Sequence, residues 1–263
     1  MQRRSFMALA GSCLVCGCAG AIHRLPEVSD GNIAMAQAEV RTASPPQRRY
    51  VSEDEVAGTL RTAIQLVSAP GTHLCHEMNV GVCEWKFRLS RDREMNAGAM
   101  GHGYIVLNRG IVEYAANDEE VCMVVAHEIG HHAANHIARG MRNQMIGALI
   151  GVAVAGLAAA ATGSNPTSST TQSAAQLGAT IGHLSFSKEQ EREADYMAAL
   201  ILYRAGIDLD KARGLLVTMA RGSGRMETTF LDSHPAGPER IAAWDRAVAE
   251  IRASNGRPPP RAS

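Results

Sequence analysis

The apolar residues between positions 117 and 140 recur with the spacing of a helix, so they share one face. They are Val121, Val124, Val125, Ile129 and Ala133. Asn117 precedes them as a helix cap, with Glu120 three residues later in position to bond back to the cap, and Gly140 offers a stop. The pattern predicts an amphipathic helix between Asn117 and Gly140.

Two more helices are predicted, one before and one after this segment. The first begins near Ser52, where SEDE supplies a cap and first-turn carboxylates, and ends near Ser68, before the APG stop. The second begins at Ser187, which caps it in the pattern SKEQ, and ends at Gly206.

Two short segments have the pattern of β-strands. In EWKFRLS, the residues Trp85, Phe87 and Leu89 alternate with polar ones, as expected of a half-buried strand. GYIVLN, residues 103–108, is a second strand. The glycine-rich NAGAMGHG before it indicates backbone that turns tightly or closely approaches another group.

Residues 145–163, MIGALIGVAVAGLAAAATG, carry no charge and are almost long enough to span a bilayer. Alanine and glycine make the segment only weakly hydrophobic, so a buried or membrane-touching helix is favoured over a true span. The following SNPTSSTTQS is predicted to be a flexible loop.

The composition excludes one class of partner. Lysine plus arginine, 26 residues, equals aspartate plus glutamate, 26 residues, so no basic surface for nucleic acid is indicated. The length of 263 residues allows one well-buried domain or at most two small ones.

The N-terminus has the layout of a secretory signal: Arg3 and Arg4, then an apolar stretch and small residues. LVCGC resembles a bacterial lipobox, which predicts a signal peptide over residues 1–17 and a lipid anchor at Cys18, with a plain cleaved signal as the alternative. RRSFM also resembles a twin-arginine signal, so the export route stays open. Ala19 stands where an aspartate would indicate inner-membrane retention. We therefore expect a periplasmic protein anchored to the outer membrane of a Gram-negative bacterium.

The remaining chain divides into three parts by composition. Residues 18–48 are predicted to be a polar, proline-containing tether, residues 49–251 the folded domain, and residues 252–263 a disordered tail. In the domain, Cys75 and Cys83 could close a short loop and leave Cys122 as a buried thiol. A metal site at the same cysteines lacks a recognised ligand spacing.

The segment HEIGH is where the sequence points to chemistry. His127 and His131, four residues apart on one helix face, can share a metal ion, and Glu128 beside them can take a proton from a water at that metal. His132 and His136 point to another side of the helix, as supporting or core-edge histidines. Chance would also produce this short motif, so a core helix with fortuitous histidines is the alternative.

A catalytic zinc site needs at least a third protein ligand, and an acidic segment lies about 60 residues further on. In SKEQEREADYM, Glu191 and Asp195 share one helix face, and Glu189 and Glu193 share another. An isolated acidic run of this kind is usually a solvated face. Together with HEIGH, it becomes a candidate source of the third ligand.

HEIGH followed by EREAD resembles the two motifs of peptidase family M48, the zinc metalloendopeptidases that include CAAX prenyl proteases, bacterial heat-shock membrane proteases and periplasmic lipoprotein proteases. NAGAMGHGYIVLNRGIVEY and SHPAGPERI resemble further family segments, so the similarity covers about residues 50–245. The resemblance implies a mainly helical α+β, gluzincin-type fold with a small antiparallel sheet. It also implies one Zn²⁺ per chain, with Glu191 as the third ligand. Asp195 is implied to be a buried residue that supports the metal ligands.

The resemblance assigns roles to two other segments. An extended substrate is expected along an edge strand that contains Gly103, Tyr104, Ile105 and Val106. His234 is expected either to occupy the open zinc position as a regulatory plug or only to cap a turn. Arg240 is expected to bind substrate or stabilise the oxyanion.

The expected function is peptide-bond hydrolysis of misfolded or misassembled envelope proteins by a zinc metalloendopeptidase. Its partners are then protein or peptide substrates and the membrane, reached through Cys18, with no nucleic acid. The rival interpretation is a zinc-stabilised chaperone or assembly factor without proteolytic activity.

Overall fold

A computed structural model describes residues 20–162, 167–182, 186–222, 234 and 237–262 of the chain. The predicted signal peptide and Cys18 therefore lie outside the described residues. Within these ranges the helices are α1 (Asp30–Thr42), α2 (Glu53–Met78), α3 (Gly110–Tyr114), α4 (Asp118–Ala133), α5 (His136–Thr162), α6 (Ser168–Gly182), α7 (Lys188–Arg204), α8 (Leu209–Ala212), α9 (Gly214–Gly222) and α10 (Pro238–Ala253). The strands are β1 (Lys86–Ser90), β2 (Ala97–Met100) and β3 (Tyr104–Asn108).

Helix α4 is the centre of the fold and packs between α2 and α7. Every residue from Glu120 to Ala133 is buried. The Asn117 side chain accepts a hydrogen bond from the Glu120 backbone N–H at 2.9 Å, as the capping prediction requires. The Glu120 carboxylate, in contrast, accepts from the Ala116 N–H at 2.8 Å. The helix ends earlier than predicted because Asn135, with φ of 60°, turns the chain into α5 before Gly140.

Helix α2 continues through the predicted stop at APG. Pro70 lies inside the helix, and Gly71 faces Ile129 of α4, whose Cγ2 would lie 2.9 Å from an added Cβ. The apolar face of α2 continues to Met78 along α4, and its burial outweighs the local breaking tendency of proline and glycine.

The mainly helical α+β fold is confirmed, but the sheet is mixed and not antiparallel. Its strand order is β1-β3-β2, with β1 parallel and β2 antiparallel to β3. β3, predicted to be the substrate-binding edge strand, is therefore the central strand. The short β2, which is only Ala, Gly, Ala and Met, lacks alternation that would reveal it in the sequence, and it forms the edge that contacts α4.

Both ends of the chain are more structured than predicted. Residues 30–42, expected in a tether, form α1, which packs on α10 and whose Glu39 pairs with Arg213 at 2.6 Å. The expected disordered tail pairs with the N-terminal segment: the Arg24 N–H donates to the Pro260 carbonyl and the Ala262 N–H to the Ile22 carbonyl, each at 2.9 Å. Apolar residues of the N-terminal segment, Leu25, Val28, Ile33 and Val40, pack against the core, so contacts with the domain order it.

Helices α5 and α6 pack against each other as a hairpin. The predicted flexible loop is helical from Ser168 onward, while residues 163–166 lie outside the described part. Among the described helices, α5 is long and apolar enough to cross a membrane: an 18-residue window within residues 136–161 has a mean hydropathy of 1.9, and 6 % of that window is buried. A buried core helix, one of the predicted alternatives, is thereby excluded.

The cysteine prediction is confirmed. Cys75 at the end of α2 and Cys83 form a disulfide, with their Cα atoms 5.5 Å apart. Cys122 is a buried free thiol, and burial raises its pKa to about 12, which makes it unreactive.

Candidate metal centre

Helix α4 brings the three HEIGH side chains to the buried side that faces α7. His127, Glu128 and His131 are each at most 1 % exposed. The Nε2 atoms of His127 and His131 lie 3.1 Å apart, as expected for imidazoles one helical turn apart that point to a common position.

Helix α7 contributes Glu191 to the same position. Its Oε2 lies 3.5 Å from His127 Nε2, and its Oε1 lies 3.4 Å from His131 Nε2. Burial would raise the pKa of Glu191, but His234, Arg240 and the two HEIGH histidines hold it well below its usual range. Glu191 is therefore an ionised carboxylate beside two imidazole nitrogens.

His234 joins the group from the segment before α10. Its Nδ1 lies 3.2 Å from His127 Nε2 and 3.0 Å from Glu191 Oε1. Ligand atoms of His127, His131, Glu191 and His234 all lie within 4.8 Å of one another. No feature of the sequence near His234 predicts this position apart from the family resemblance, since the helices between it and α4 decide where it lies.

The four residues fit a zinc ion. Nitrogen and oxygen ligands about 2.0–2.1 Å from a tetrahedral zinc lie about 3.3 Å from one another. Five separations between ligand atoms of this cluster, from 3.0 to 3.5 Å, are close to such edges. Three histidine nitrogens and one carboxylate oxygen are also a donor set that suits zinc.

Glu128 differs from the other carboxylates of the cluster. It is fully buried, and neither of its oxygens has a hydrogen-bond partner among the described residues. His234 Nε2 lies 3.6 Å from Glu128 Oε1. A buried carboxylate in this state is costly unless a proton, water or metal-bound group meets it, so the geometry indicates a reactive function for Glu128.

Asp195 supports His127, as the resemblance implied. Its Oδ1 lies 2.9 Å from His127 Nδ1, on the ring side away from the shared position. Burial disfavours a charged His127, but Asp195 and Glu191 outweigh that effect and raise its pKa to about 9. A carboxylate behind a histidine ligand fixes the ring orientation and increases the basicity of the other nitrogen.

Arg240 contacts two buried carboxylates of the cluster, and its expected role toward substrate stays a prediction. It donates to both Asp195 oxygens at 2.7 and 2.8 Å, and its Nη1 lies 2.8 Å from Glu191 Oε2. These contacts raise the pKa of Arg240 against its burial. Its position on α10 makes it the counter-charge for two buried carboxylates, so its role is to hold Glu191 and Asp195 in place.

The acidic segment of α7 is not a solvated face. Glu189 is exposed, but Glu193 is fully buried and bonded to His136 and to the N-terminal segment. Burial opposes ionisation of Glu193, yet His136 and His23 lower its pKa to about 2. His132, the other additional histidine of α4, lies 3.2 Å from the Tyr104 carbonyl through Nε2.

The family model for peptidase family M48 matches residues 65–248, more than half of the chain. The chain belongs to this family, whose members are zinc-dependent metallopeptidases. A comparison with curated protein sequences gives no significant match. The match includes both motif helices, His234 and Arg240, so the metal cluster lies entirely within the family region.

The double role of Arg240 generates a stability prediction. Replacing it in Arg240→Met leaves Asp195 and Glu191 buried without their cation, which is expected to lower the free energy of unfolding by about 3–5 kcal/mol. Urea denaturation of the metal-free protein measures the change. Arg246→Met, at an exposed position of the same helix, is the control and is expected to change stability by less than about 0.5 kcal/mol. Equal effects of the two substitutions would contradict the assigned role.

Proposed function

We propose that the protein is a zinc-dependent endopeptidase of the bacterial envelope that cleaves misfolded or misassembled envelope proteins. The observation that carries the endopeptidase activity is the buried carboxylate of Glu128, which has no hydrogen-bond partner among the described residues, beside the His127, His131 and Glu191 cluster. A site that only stabilises the fold has no use for such a carboxylate. A hydrolytic site needs one as a general base.

The residues divide the reaction between them. His127, His131 and Glu191 would hold the zinc ion, whose chemistry is to polarise the scissile carbonyl as a Lewis acid. Glu128 takes the proton from the attacking water and then delivers it to the leaving amine. Because Glu128 is fully buried, the proton stays between its carboxylate and the reacting groups.

The substrate is proposed to bind along the edge strand β2, because β3, the strand expected from the sequence, is central in the sheet. The Asn108 N–H donates to the Asn96 carbonyl. In an antiparallel ladder, residues that bond to the partner strand alternate with residues whose backbone groups point away from it. The N–H and C=O groups of Ala97 and Ala99 therefore face the open edge of the sheet. An extended peptide can pair with this edge through its main chain. Small side chains along β2 leave room for many substrate side chains, which suits unfolded proteins of diverse sequence.

His234 is proposed to be a regulatory plug. Its Nδ1 supplies the fourth ligand atom of the cluster, the position that a catalytic zinc site leaves to water and substrate. With His234 in place the enzyme is latent, and it becomes active when the segment that carries His234 moves away.

The envelope location is supported by two independent features. The N-terminus resembles a secretory signal with a lipobox, which places the anchor at Cys18 and favours the outer membrane. The Cys75–Cys83 disulfide suits an oxidising compartment such as the periplasm.

A second candidate function is a zinc-stabilised chaperone or assembly factor for envelope proteins. The observation that favours it is the fourth ligand itself, because structural zinc sites are closed by four protein ligands. In that case Glu128 would have no role in the function.

The first experiment compares unfolded-casein cleavage by the wild-type protein and Glu128→Gln, with zinc content measured for both. Loss of a general base is expected to lower the cleavage rate by at least about 100-fold while zinc remains bound. If a zinc-loaded Glu128→Gln variant cleaves casein as fast as wild type, the assigned mechanism is wrong. If neither protein cleaves although both hold zinc, the outcome agrees with the chaperone function and also with latency imposed by His234. Cleavage by His234→Ala separates the two.

The plug predicts that His234→Ala is more active than wild type. Removing the fourth ligand opens the zinc position, so the rate of casein cleavage is expected to rise several-fold. His76→Ala, at an exposed position of α2, is the matched control and should leave the rate unchanged. If the rate of casein cleavage is unchanged in His234→Ala, His234 only caps a turn and does not regulate the enzyme.

A further inference from the structure

The outer face of α5 is strongly apolar and exposed. Its large exposed side chains are Met141, Met145, Ile146, Leu149, Ile150, Val152, Val154 and Leu157. The helix carries no charged residue after Arg142. An exposed apolar face of this length is a binding surface and not an ordinary solvent-facing helix.

The exposed side chains that the structure describes in the first part of α6 have the opposite character. Its exposed side chains include Thr170, Gln172, Ser173 and Gln176. A hairpin that crossed a bilayer would bring these polar groups into hydrocarbon at a high cost. A hairpin that lies along the membrane surface keeps α6 in water and buries only the α5 face.

The N-terminal end of the described chain lies at the base of this hairpin. The Arg139 guanidinium, in the first turn of α5, donates to the Gly20 carbonyl at 2.7 Å. Gly20 follows the proposed lipid-anchored Cys18 by two residues, which span at most about 7 Å. The acyl chains would therefore enter the membrane beside the start of α5, where Arg139 and Arg142 can reach anionic headgroups.

We propose that the outer face of α5 docks in the plane of a phospholipid membrane, as a second contact beside the lipid anchor. An added Cβ on Gly101, which follows β2, would lie 3.3 Å from the Met141 sulfur at the base of α5. Docking therefore holds the proposed substrate edge close to the membrane surface. The proposal rests on the envelope location proposed above, but it does not depend on peptidase activity.

The test uses the mature chain from residue 18 with Cys18→Ser, so that only the helix face can bind lipid. Flotation with vesicles of phosphatidylethanolamine and phosphatidylglycerol measures binding. Leu149→Glu combined with Leu157→Glu is expected to weaken binding by more than about tenfold, because both leucines leave the lipid. Gln172→Glu on α6 is the control and should bind as the parent does. Casein cleavage and zinc content are measured in parallel without vesicles. A loss of membrane binding can then be distinguished from a loss of peptidase activity.

Orientation is tested with single cysteines on the same parent. A water-soluble maleimide is expected to label Gln172→Cys with or without vesicles, and to label Met145→Cys only without them. Protection of both positions would overturn docking in the plane and indicate a span. If the parent chain does not bind vesicles, a membrane is not the partner of this face. If the parent chain forms dimers in sedimentation without vesicles and the double glutamate variant does not, the partner is a second copy of the chain and not the membrane.

A separate set of contacts connects the N-terminal segment to a metal ligand. His131 Nδ1, on the ring side away from the cluster, lies 3.0 Å from His136 Nδ1. His136 Nε2 donates to Glu193 Oε2 at 2.9 Å. The Glu193 carboxylate also accepts from His23 Nδ1 at 2.6 Å and from the backbone N–H groups of Ile22 and His23 at 2.8–2.9 Å.

We infer that His136, Glu193 and His23 are positioning residues for His131. With Nε2 of His131 used for the metal, its Nδ1–H donates to His136, and the charge of Glu193 orients both rings. This arrangement gives His131 the kind of support that Asp195 gives His127, with a histidine placed between ligand and carboxylate. His23, five residues after Cys18, makes the N-terminal segment part of the metal centre's surroundings.

Competition with a chelator for zinc and the visible spectrum of the cobalt-substituted protein test this inference. Glu193→Gln is expected to bind zinc about 10–100-fold more weakly and to shift the cobalt spectrum, as changes behind a metal ligand do. Glu189→Gln, exposed on the same helix, should change neither. His23→Ala should weaken zinc binding. His23→Asn should restore it, because the asparagine side-chain N–H can donate to Glu193 from near the position of His23 Nδ1. Unchanged zinc affinity and spectrum in folded Glu193→Gln would reduce these contacts to a structural role.

Discussion

The close crossing of α4 and α7 is the constraint on which the rest of the structure depends. At Gly130 an added Cβ would lie 2.8 Å from the Ala194 carbonyl oxygen, so only glycine permits this approach. Gly130 belongs to HEIGH and Ala194 to EREAD. The two motifs thus contain both the ligands and the small residues that let the helices come close enough for those ligands to meet. A larger residue at either position would separate His127 and His131 from Glu191.

This crossing forces several charges into the interior, and the fold compensates each of them. Arg240 from α10 neutralises Asp195 and Glu191, while His136 and His23 satisfy Glu193. Because an uncompensated buried charge costs several kcal/mol, helices and segments far apart in sequence must dock around α7 before the cluster is stable. Glu128 differs from these compensated charges, because neither of its oxygens has a hydrogen-bond partner among the described residues, and the proposed general-base role would account for this cost.

The same compensation explains why the described residues near both ends of the chain are ordered. The segment that begins at Gly20 bonds to Glu193 and Arg139 and pairs with the C-terminal residues near Arg261. The start of the described chain, the α5–α6 hairpin and the metal centre are thereby neighbours. With the membrane docking proposed above, the metal centre would lie close to the membrane surface.

The sequence by itself determined the two motif helices with their N-terminal caps, the shared helix face of His127 and His131, and strands β1 and β3. These features depend on short spacings along one element, which periodicity and capping record directly. The sequence left the Cys75–Cys83 bridge open, and only the family resemblance named Glu191 as a ligand. Only the tertiary structure decided that α2 passes through Pro70, that β3 is central, that Arg240 serves buried carboxylates, and that Glu193 is buried and bonded to His23. Each of these depends on contacts between segments distant in sequence, where burial and charge pairing outweigh local preference, and no local pattern reports them.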